Sequence, residues 1–216
     1  MNAEQPKVVV VDLGLGNLRS VARAFATAGA EVEVSAAPAV MRQADALVVP
    51  GQGSFAAGAR AVQGEMGAVL RAWIAADKPY FGICLGMQLL FAGSEEAPGQ
   101  AGLGVFGGSV RALGATGPDE ERLKVPHMGW NRVEGSHPLL GEAHWYYFVH
   151  SFYCAPEDDA LVAGVVDYGQ RLCAAVAHSR LFACQFHPEK SHDVGARLIQ
   201  RYLRQLAPHA EETPCK

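Results

Sequence analysis

Three short apolar runs, each stopped by a glycine-bearing turn, constrain this chain more than any other feature. Val8-Val9-Val10-Val11 ends at Asp12, Gly14 and Gly16; Ala46-Leu47-Val48-Val49 ends at Pro50-Gly51-Gln52-Gly53; Tyr80-Phe81-Gly82-Ile83 leads into Cys84-Leu85-Gly86. Runs without polar alternation suit strands buried on both faces, which is the condition of a parallel sheet covered by helices on either side. Helical stretches fall between them. Asn17 is placed to cap a helix carrying Leu18, Val21, Ala22, Phe25 and Ala28, stopped by Gly29; Val32 and Val34 then mark a further strand. Ser54 can cap a glycine-interrupted helix, clearest at Val69, Leu70, Trp73 and Ile74 and closed by Asp77-Lys78-Pro79, and Met87 to Phe91 continues from the third run. The expectation is an α/β fold: a single-domain, open, mostly parallel sheet flanked by helices, with right-handed crossovers.

From about Gly102 to Phe186 the texture changes to short alternating stretches, Val105 to Leu113, Trp145 to Tyr153 and Leu181 to Phe186, separated by Gly, Pro and Asp. Hairpins and edge strands fit there, giving an antiparallel extension. The segment 114–124 reads as a surface loop. Ser191 can cap a last helix carrying Val194, Leu198, Ile199, Tyr202, Leu203 and Leu206, so one domain is expected over 1–207 and a frayed tail over 208–216.

Composition narrows the partners. Half of the 216 residues are hydrophobic, which excludes disorder as the overall state, and Lys+Arg 18 against Asp+Glu 22 gives a net charge of -4. Without a Lys/Arg cluster there is no footprint for nucleic acid or an anionic membrane. No apolar run suits a signal peptide or a membrane span, so a soluble, cytoplasmic protein is expected. The five cysteines form no CxxC pair, against both a disulfide framework and a zinc ribbon, and suit a reducing compartment.

Gly82-Ile83-Cys84-Leu85-Gly86 has the spacing of a nucleophile elbow, with Cys where G-x-S-x-G hydrolases carry Ser. A helix N-terminus beneath such a cysteine favours the thiolate. The motif alone leaves open that Cys84 is a small buried hydrophobe. His187-Pro188-Glu189 supplies partners: Pro188 makes His187 extended, so side chains 187 and 189 point the same way and Glu189 can fix the imidazole tautomer. A histidine satisfied by a local turn is the other reading. Cys184 and His187 form a C-x-x-H, but strand alternation points them apart, so no metal is expected and Cys184 and Cys173 read as core residues. Pro50-Gly51-Gln52-Gly53 lies at the carboxyl edge of the sheet, where a glycine turn can offer a backbone N–H to an oxyanion beside that of Leu85, or can be a plain strand-to-helix turn. Gly14-Leu15-Gly16 lacks the rest of a nucleotide fingerprint and reads as a turn.

Together these segments resemble the class I (triad) glutamine amidotransferases. A narrower resemblance, over about residues 7 to 206, is to the glutaminase subunits of imidazole glycerol phosphate synthase: Gly14 to Val21, Val125-Pro126-His127-Met128-Gly129-Trp130-Asn131, Tyr147-Phe148-Val149-His150-Ser151 and His187-Pro188-Glu189-Lys190-Ser191 carry it. Leu13, Gln52 and Phe152 depart from that family's usual Tyr, small apolar residue and Tyr. The resemblance implies that Cys84 attacks the glutamine side-chain amide, His187 shuttles the proton and Glu189 orients His187. It further implies oxyanion donors at Leu85 and Gln52, a glutamine cradle of Gly51, Gln88, Ser151 and Phe152, and no cofactor. The implied partner is a separate (β/α)8 cyclase that receives the ammonia in a heterodimer and makes imidazole glycerol phosphate in histidine biosynthesis, with Trp130, Tyr147 and Lys190 at the interface; because unregulated hydrolysis would waste glutamine, low activity is expected without that partner. A glutaminase of another amidotransferase, a stand-alone cysteine hydrolase and a scaffold with a redox-sensing Cys84 are the alternatives.

Overall fold

A computed structural model describes residues 5–117 and 122–206. In chain order the elements are β1 (Lys7–Val11), α1 (Leu18–Thr27), β2 (Glu31–Ser35), α2 (Pro38–Met41), β3 (Ala46–Gly51), α3 (Phe55–Ala61), α4 (Gly64–Ala75), β4 (Tyr80–Cys84), α5 (Leu85–Gln88), β5 (Gly108–Ala112), β6 (His127–Glu134), β7 (His144–His150), β8 (Phe152–Pro156), β9 (Val162–Asp167), β10 (Arg171–His178), β11 (Leu181–Cys184) and α6 (His192–Arg204). One nine-stranded sheet has the order β2-β1-β3-β4-β11-β10-β9-β6-β7, and β5 pairs with β8 in a second, two-stranded sheet. From β2 to β11 the neighbours run parallel; from β11 to β7 they run antiparallel.

The apolar runs are two-sided for the reason their sequences suggest. Val9, Val11, Leu47, Val49 and Ala183 face one core with Met41, Phe55, Leu70 and Trp73, while Val8, Val10, Val48, Phe81 and Phe182 face another with Phe25, Leu198 and Tyr202. Helices α2 to α5 thus cover one face, and α1 and α6 the other. Both expected N-caps at the parallel end are made, Asn17 accepting from Ser20 N–H and Ser54 from Ala57 N–H.

Several expectations are corrected. The helix after Ser54 is two helices, because the chain turns at Gly64 with φ +60°, and a Cβ on Gly67 would lie 1.9 Å from the Val62 carbonyl oxygen. The short α2 was not foreseen, and the helical stretch read as Met87 to Phe91 is the single turn Leu85–Gln88. Only Gly108–Ala112 of Val105 to Leu113 forms a strand, and Trp145 to Tyr153 divides at Ser151 between two sheets. Leu181 to Cys184 is no edge: it lies inside the main sheet, parallel to β4 and antiparallel to β10, with all four residues buried. Ser191 makes no side-chain cap to α6. Part of the loop 114–124, at 118–121, and the tail 208–216 lie outside the described residues. No helix among the described residues is long and apolar enough to cross a membrane.

Candidate active site

Backbone geometry places the cysteine. β4 runs between β3 and β11 and ends at Cys84, whose φ of 54° and ψ of -107° are strained for a residue with a side chain, by about 1–3 kcal/mol. The turn exists because its neighbours have no Cβ. One on Gly82 would lie 2.8 Å from Ala183 Cβ, and one on Gly86 would lie 1.7 Å from the Val49 carbonyl oxygen. Gly51, opposite Cys84 in the β3–β4 ladder, is pressed against Leu85 in the same way, its would-be Cβ 3.0 Å from Leu85 Cβ. Tyr80, at the start of β4, donates its buried hydroxyl to the Gly86 carbonyl at 2.9 Å, and burial pushes its pKa up so that the proton stays.

His187 arrives from the adjacent strand. Its N–H donates to the Tyr147 carbonyl at 2.9 Å, and Ser191 Oγ both donates to the His187 carbonyl (2.7 Å) and accepts from Tyr147 N–H (3.0 Å). Ser191 therefore clamps the histidine segment to β7 where a helix cap was expected. His187 is extended, with φ -106° and ψ 93°, but Glu189 sits in the 3₁₀ turn Pro188–Lys190, so a turn and not strand alternation brings the two side chains together. Nδ1 of His187 lies 2.8 Å from Glu189 Oε1, both side chains being 2% exposed. The carboxylate accepts a hydrogen bond from Nδ1–H and leaves Nε2 to the thiol. Burial opposes charge on the ring, but hydrogen bonding and charge from Cys84 and Glu189 outweigh it and hold the His187 pKa at about 9. Nε2, which lies near Cys84, and Glu189 Oε2 are buried without a hydrogen-bond partner among the described residues.

Cys84 opens into a cavity of about 400 Å³, a size suited to a small ligand. Gln52, Leu85, Gln88, Ser151, Phe152 and Lys190 line it; Gly51 does not, being packed behind Leu85. The same wall holds Glu96 and His150, which sequence reasoning missed. Glu96 accepts Phe55 N–H at the start of α3 at 2.7 Å, a loop-to-helix contact that no sequence spacing announces. Gln185 was missed too, although the alternation that places His187 also places it: its Nε2 lies 3.5 Å from Cys84 Sγ, and its Oε1 accepts from Gln88 Nε2 at 3.2 Å. Gln88 Nε2 also donates to the Phe152 carbonyl at 3.1 Å.

Beside the mouth lies an exposed aromatic face. The β6–β7 register sets Trp130 opposite Tyr147, with ring centroids 6.2 Å apart; Lys190 Nζ lies 5.9 Å over the Tyr147 ring and His192 stacks flat on Trp130 at 5.3 Å. Trp130 is 43% exposed and Met128, on the same face, 62%. No group of three or more His, Cys, Asp or Glu able to hold a metal occurs among the described residues.

The model of the family "Glutamine amidotransferase class-I" matches residues 9–206. The chain is similar to "Imidazole glycerol phosphate synthase subunit HisH" of Deinococcus radiodurans, 47% identical over 94% of this chain and 95% of that one. It is similar likewise to the subunit of the same name from Methylococcus capsulatus, 46% identical over 91% and 95%. Among solved structures it resembles PurLQS from Thermotoga maritima, with a TM-score of 0.75 at 20% identity over 94% of this chain and 100% of that one. It also resembles a glutamine amidotransferase crystal structure, with a TM-score of 0.72 at 23% identity over 93% and 98%.

Proposed function

This chain belongs to the class-I glutamine amidotransferases and, within them, to the family of HisH subunits of imidazole glycerol phosphate synthase, and on that premise we propose that it hydrolyses glutamine through Cys84. The observation that carries the reading is the His187–Glu189 pair beside Cys84 at the carboxyl edge of the parallel strands, where Cys84 opens into a cavity of about 400 Å³. His187 Nε2, with Nδ1 held by Glu189, takes the Cys84 thiol proton and activates the sulfur. The sulfur attacks the side-chain amide carbon, and the negative charge that develops on the amide oxygen is met by backbone N–H groups of Leu85 and Gln52. His187 Nε2 gives its proton to the departing nitrogen, which leaves as ammonia and a thioester. The neutral imidazole then takes a proton from water, the hydroxide attacks the thioester, and the imidazolium returns that proton to the departing sulfur as glutamate is released. Glu189 keeps the ring in the tautomer both steps require.

The other end of glutamine needs opposite charges. Glu96 is the carboxylate in the cavity wall and pairs with the α-ammonium. The Phe152 carbonyl is already taken by Gln88, so this turn offers the α-carboxylate its N–H donors.

The ammonia serves histidine biosynthesis. Its acceptor is a (β/α)8 cyclase bound as a heterodimer over the cavity mouth, where Trp130, Tyr147 and Lys190 meet it, and the pair works in the cytoplasm. The test is ammonia release from glutamine by the chain alone and with the cyclase carrying its ribulosyl ligand, with Cys84→Ala as the blank. A slow Cys84-dependent rate that rises by orders of magnitude with the loaded partner is expected. Fast release without the partner would make the chain a free-standing hydrolase.

A further inference from the structure

Two histidines outside the triad are buried beside the cavity, His127 at 3% and His150 at 6% exposure, and the reaction above uses neither. They touch. His127 Nδ1 lies 2.9 Å from His150 Nε2, His150 Nδ1 lies 2.9 Å from the Phe152 carbonyl oxygen, and Asn131 Nδ2 lies 3.3 Å from His127 Nε2. The proton positions in this chain follow from donor chemistry alone. A carbonyl only accepts, so His150 carries its proton on Nδ1, and its Nε2, if the ring is neutral, must accept. His127 therefore donates from Nδ1, which leaves its Nε2 to accept from the amide of Asn131, whose nitrogen can only donate. Asn131 Nδ2 spends its other hydrogen on the Asp167 carbonyl at 2.8 Å. Every arrow runs one way, from Asn131 through His127 and His150 to Phe152. Burial keeps both rings neutral, lowering His127 to about 4 and His150 to about 3. Phe148 and Tyr168 hold the His127 ring between them, at 4.7 and 3.9 Å.

The end of this chain is the turn that the proposed function assigns to glutamine. The Ser151 carbonyl is bound by Leu113 N–H at 2.9 Å, and that of Phe152 by Gln88 and His150 together. In a strand a residue's own N–H and C=O point to the same side, so fixing the Phe152 carbonyl fixes where its N–H points. If His150 instead carried its proton on Nε2, its Nδ1 lone pair would face the carbonyl lone pair and the turn would lose that hold. His127, by donating to His150 Nε2, forbids that tautomer.

We infer that His127 and His150 are a proton-ordered pair that positions the Ser151–Phe152 backbone for glutamine, His127 acting through His150. The inference rests on the glutaminase reading for its substrate and on donor chemistry for its geometry, and the two are tested separately. In the ¹⁵N-histidine-labelled chain at neutral pH, both rings should show the Nδ1–H tautomer. Either one found as Nε2–H or doubly protonated overturns the pair. Kinetics with the loaded cyclase then tests the positioning role. His127→Phe keeps a ring between Phe148 and Tyr168 but has no proton for His150; loss of one such hydrogen bond should raise the KM for glutamine about 3- to 10-fold with kcat nearly unchanged. His127→Asn keeps a donor where Nδ1 was but loses the ring, so KM should stay near that of the parent while thermal stability falls. The reverse pattern, with His127→Asn raising KM and His127→Phe not, would make the pair packing alone and overturn the inference. Absence of Cys84-dependent ammonia release by the unsubstituted complex would instead remove the glutaminase reading, and with it any role for the pair toward glutamine.

Discussion

The parallel and antiparallel halves of the sheet meet at β11 and build the site by different means. The parallel half supplies Cys84 and leads to His187 through backbone: strand ends, a strained turn and glycines without which β3, β4 and β11 could not lie so close. The antiparallel half supplies walls and contacts through side chains: the His127–His150 pair, the exposed Trp130 face and the Tyr147 backbone that holds His187. In the proposed reading, chemistry that tolerates little displacement thus stands on the part of the fold with the least freedom, and recognition of the partner on a hairpin at its margin.

The widest separation between the halves should appear in activity. Cys84→Ala should abolish ammonia release, and His187→Ala should lower kcat by several orders of magnitude, both with little change in glutamine binding. Competition by a non-hydrolysed glutamine analogue, measured beside the rate, checks this, and equal losses from Trp130→Ala with the partner saturating would erase the distinction.

Glycines sharpen it in stability. Gly86→Ala would drive a methyl group to 1.7 Å from the Val49 carbonyl and should cost on the order of 4 kcal/mol or prevent folding. Gly129→Ala, in β6, meets nothing within 4 Å and has only its φ of 132° to strain, so about 1–2 kcal/mol is expected. Urea unfolding of the two variants makes the comparison.

The halves should also fail at opposite ends of the pH scale. His127 and His150 are held neutral, at about 4 and about 3, so below pH 6.5 the unfolded chain binds protons that the native one refuses. Stability should fall as pH drops from 6.5 toward 4, by an amount on the order of 3 kcal/mol for each ring. His187 is held charged up to about 9, so its contribution is complete below 6.5 and is lost as pH rises through 9. Urea midpoints against pH should show both limbs, with His127→Phe easing the acid one and Glu189→Gln the alkaline one. An acid limb untouched by His127→Phe would place the titration elsewhere.

Legibility divides along the same line. The elbow and His187-Pro188-Glu189 are local motifs that can be recognised from residues within a few positions, although Ala183, Val49 and Tyr147 complete their geometry from afar. β11 was misplaced because its partners β4 and β10 are set by topology: four buried residues read alike at an edge or in the interior. Ser191 looked like a cap because it precedes a helix, but the Tyr147 N–H that its hydroxyl accepts comes from a distant strand. Glu96 and the His127–His150 contact likewise depend on register between segments with no common motif. Gln185 is the exception, since the period that gave His187 also gave it.

Trp130 tests the margin. Its ring packs on His192 and Tyr147 while remaining 43% exposed, so Trp130→Ala should leave the chain's own stability within about 0.5 kcal/mol. Binding to the proposed cyclase partner should weaken by about 2 kcal/mol, some 30-fold in Kd, if Trp130 is an aromatic anchor at that interface. Calorimetric titration of the two subunits reads this directly, and unchanged affinity would move the docking surface elsewhere.

The smallest effect probes how the rigid half holds its turn. Tyr80 begins β4 and Gly86 ends the elbow, and the 2.9 Å hydrogen bond between them ties the start of the strand to the carbonyl just past Cys84. Tyr80→Phe removes the donor, keeps the ring, and leaves the Gly86 carbonyl facing an apolar interior, which should cost about 1–2 kcal/mol. Because that carbonyl belongs to the turn carrying Cys84 and the Leu85 N–H, the loosened turn should lower kcat a few-fold and leave the glutamine KM unchanged. This is the converse of His127→Phe, which acts on the cradle and should move KM alone. If Tyr80→Phe moved KM instead, turn and cradle would be one mechanical unit, and the division of labour between the two halves would fail.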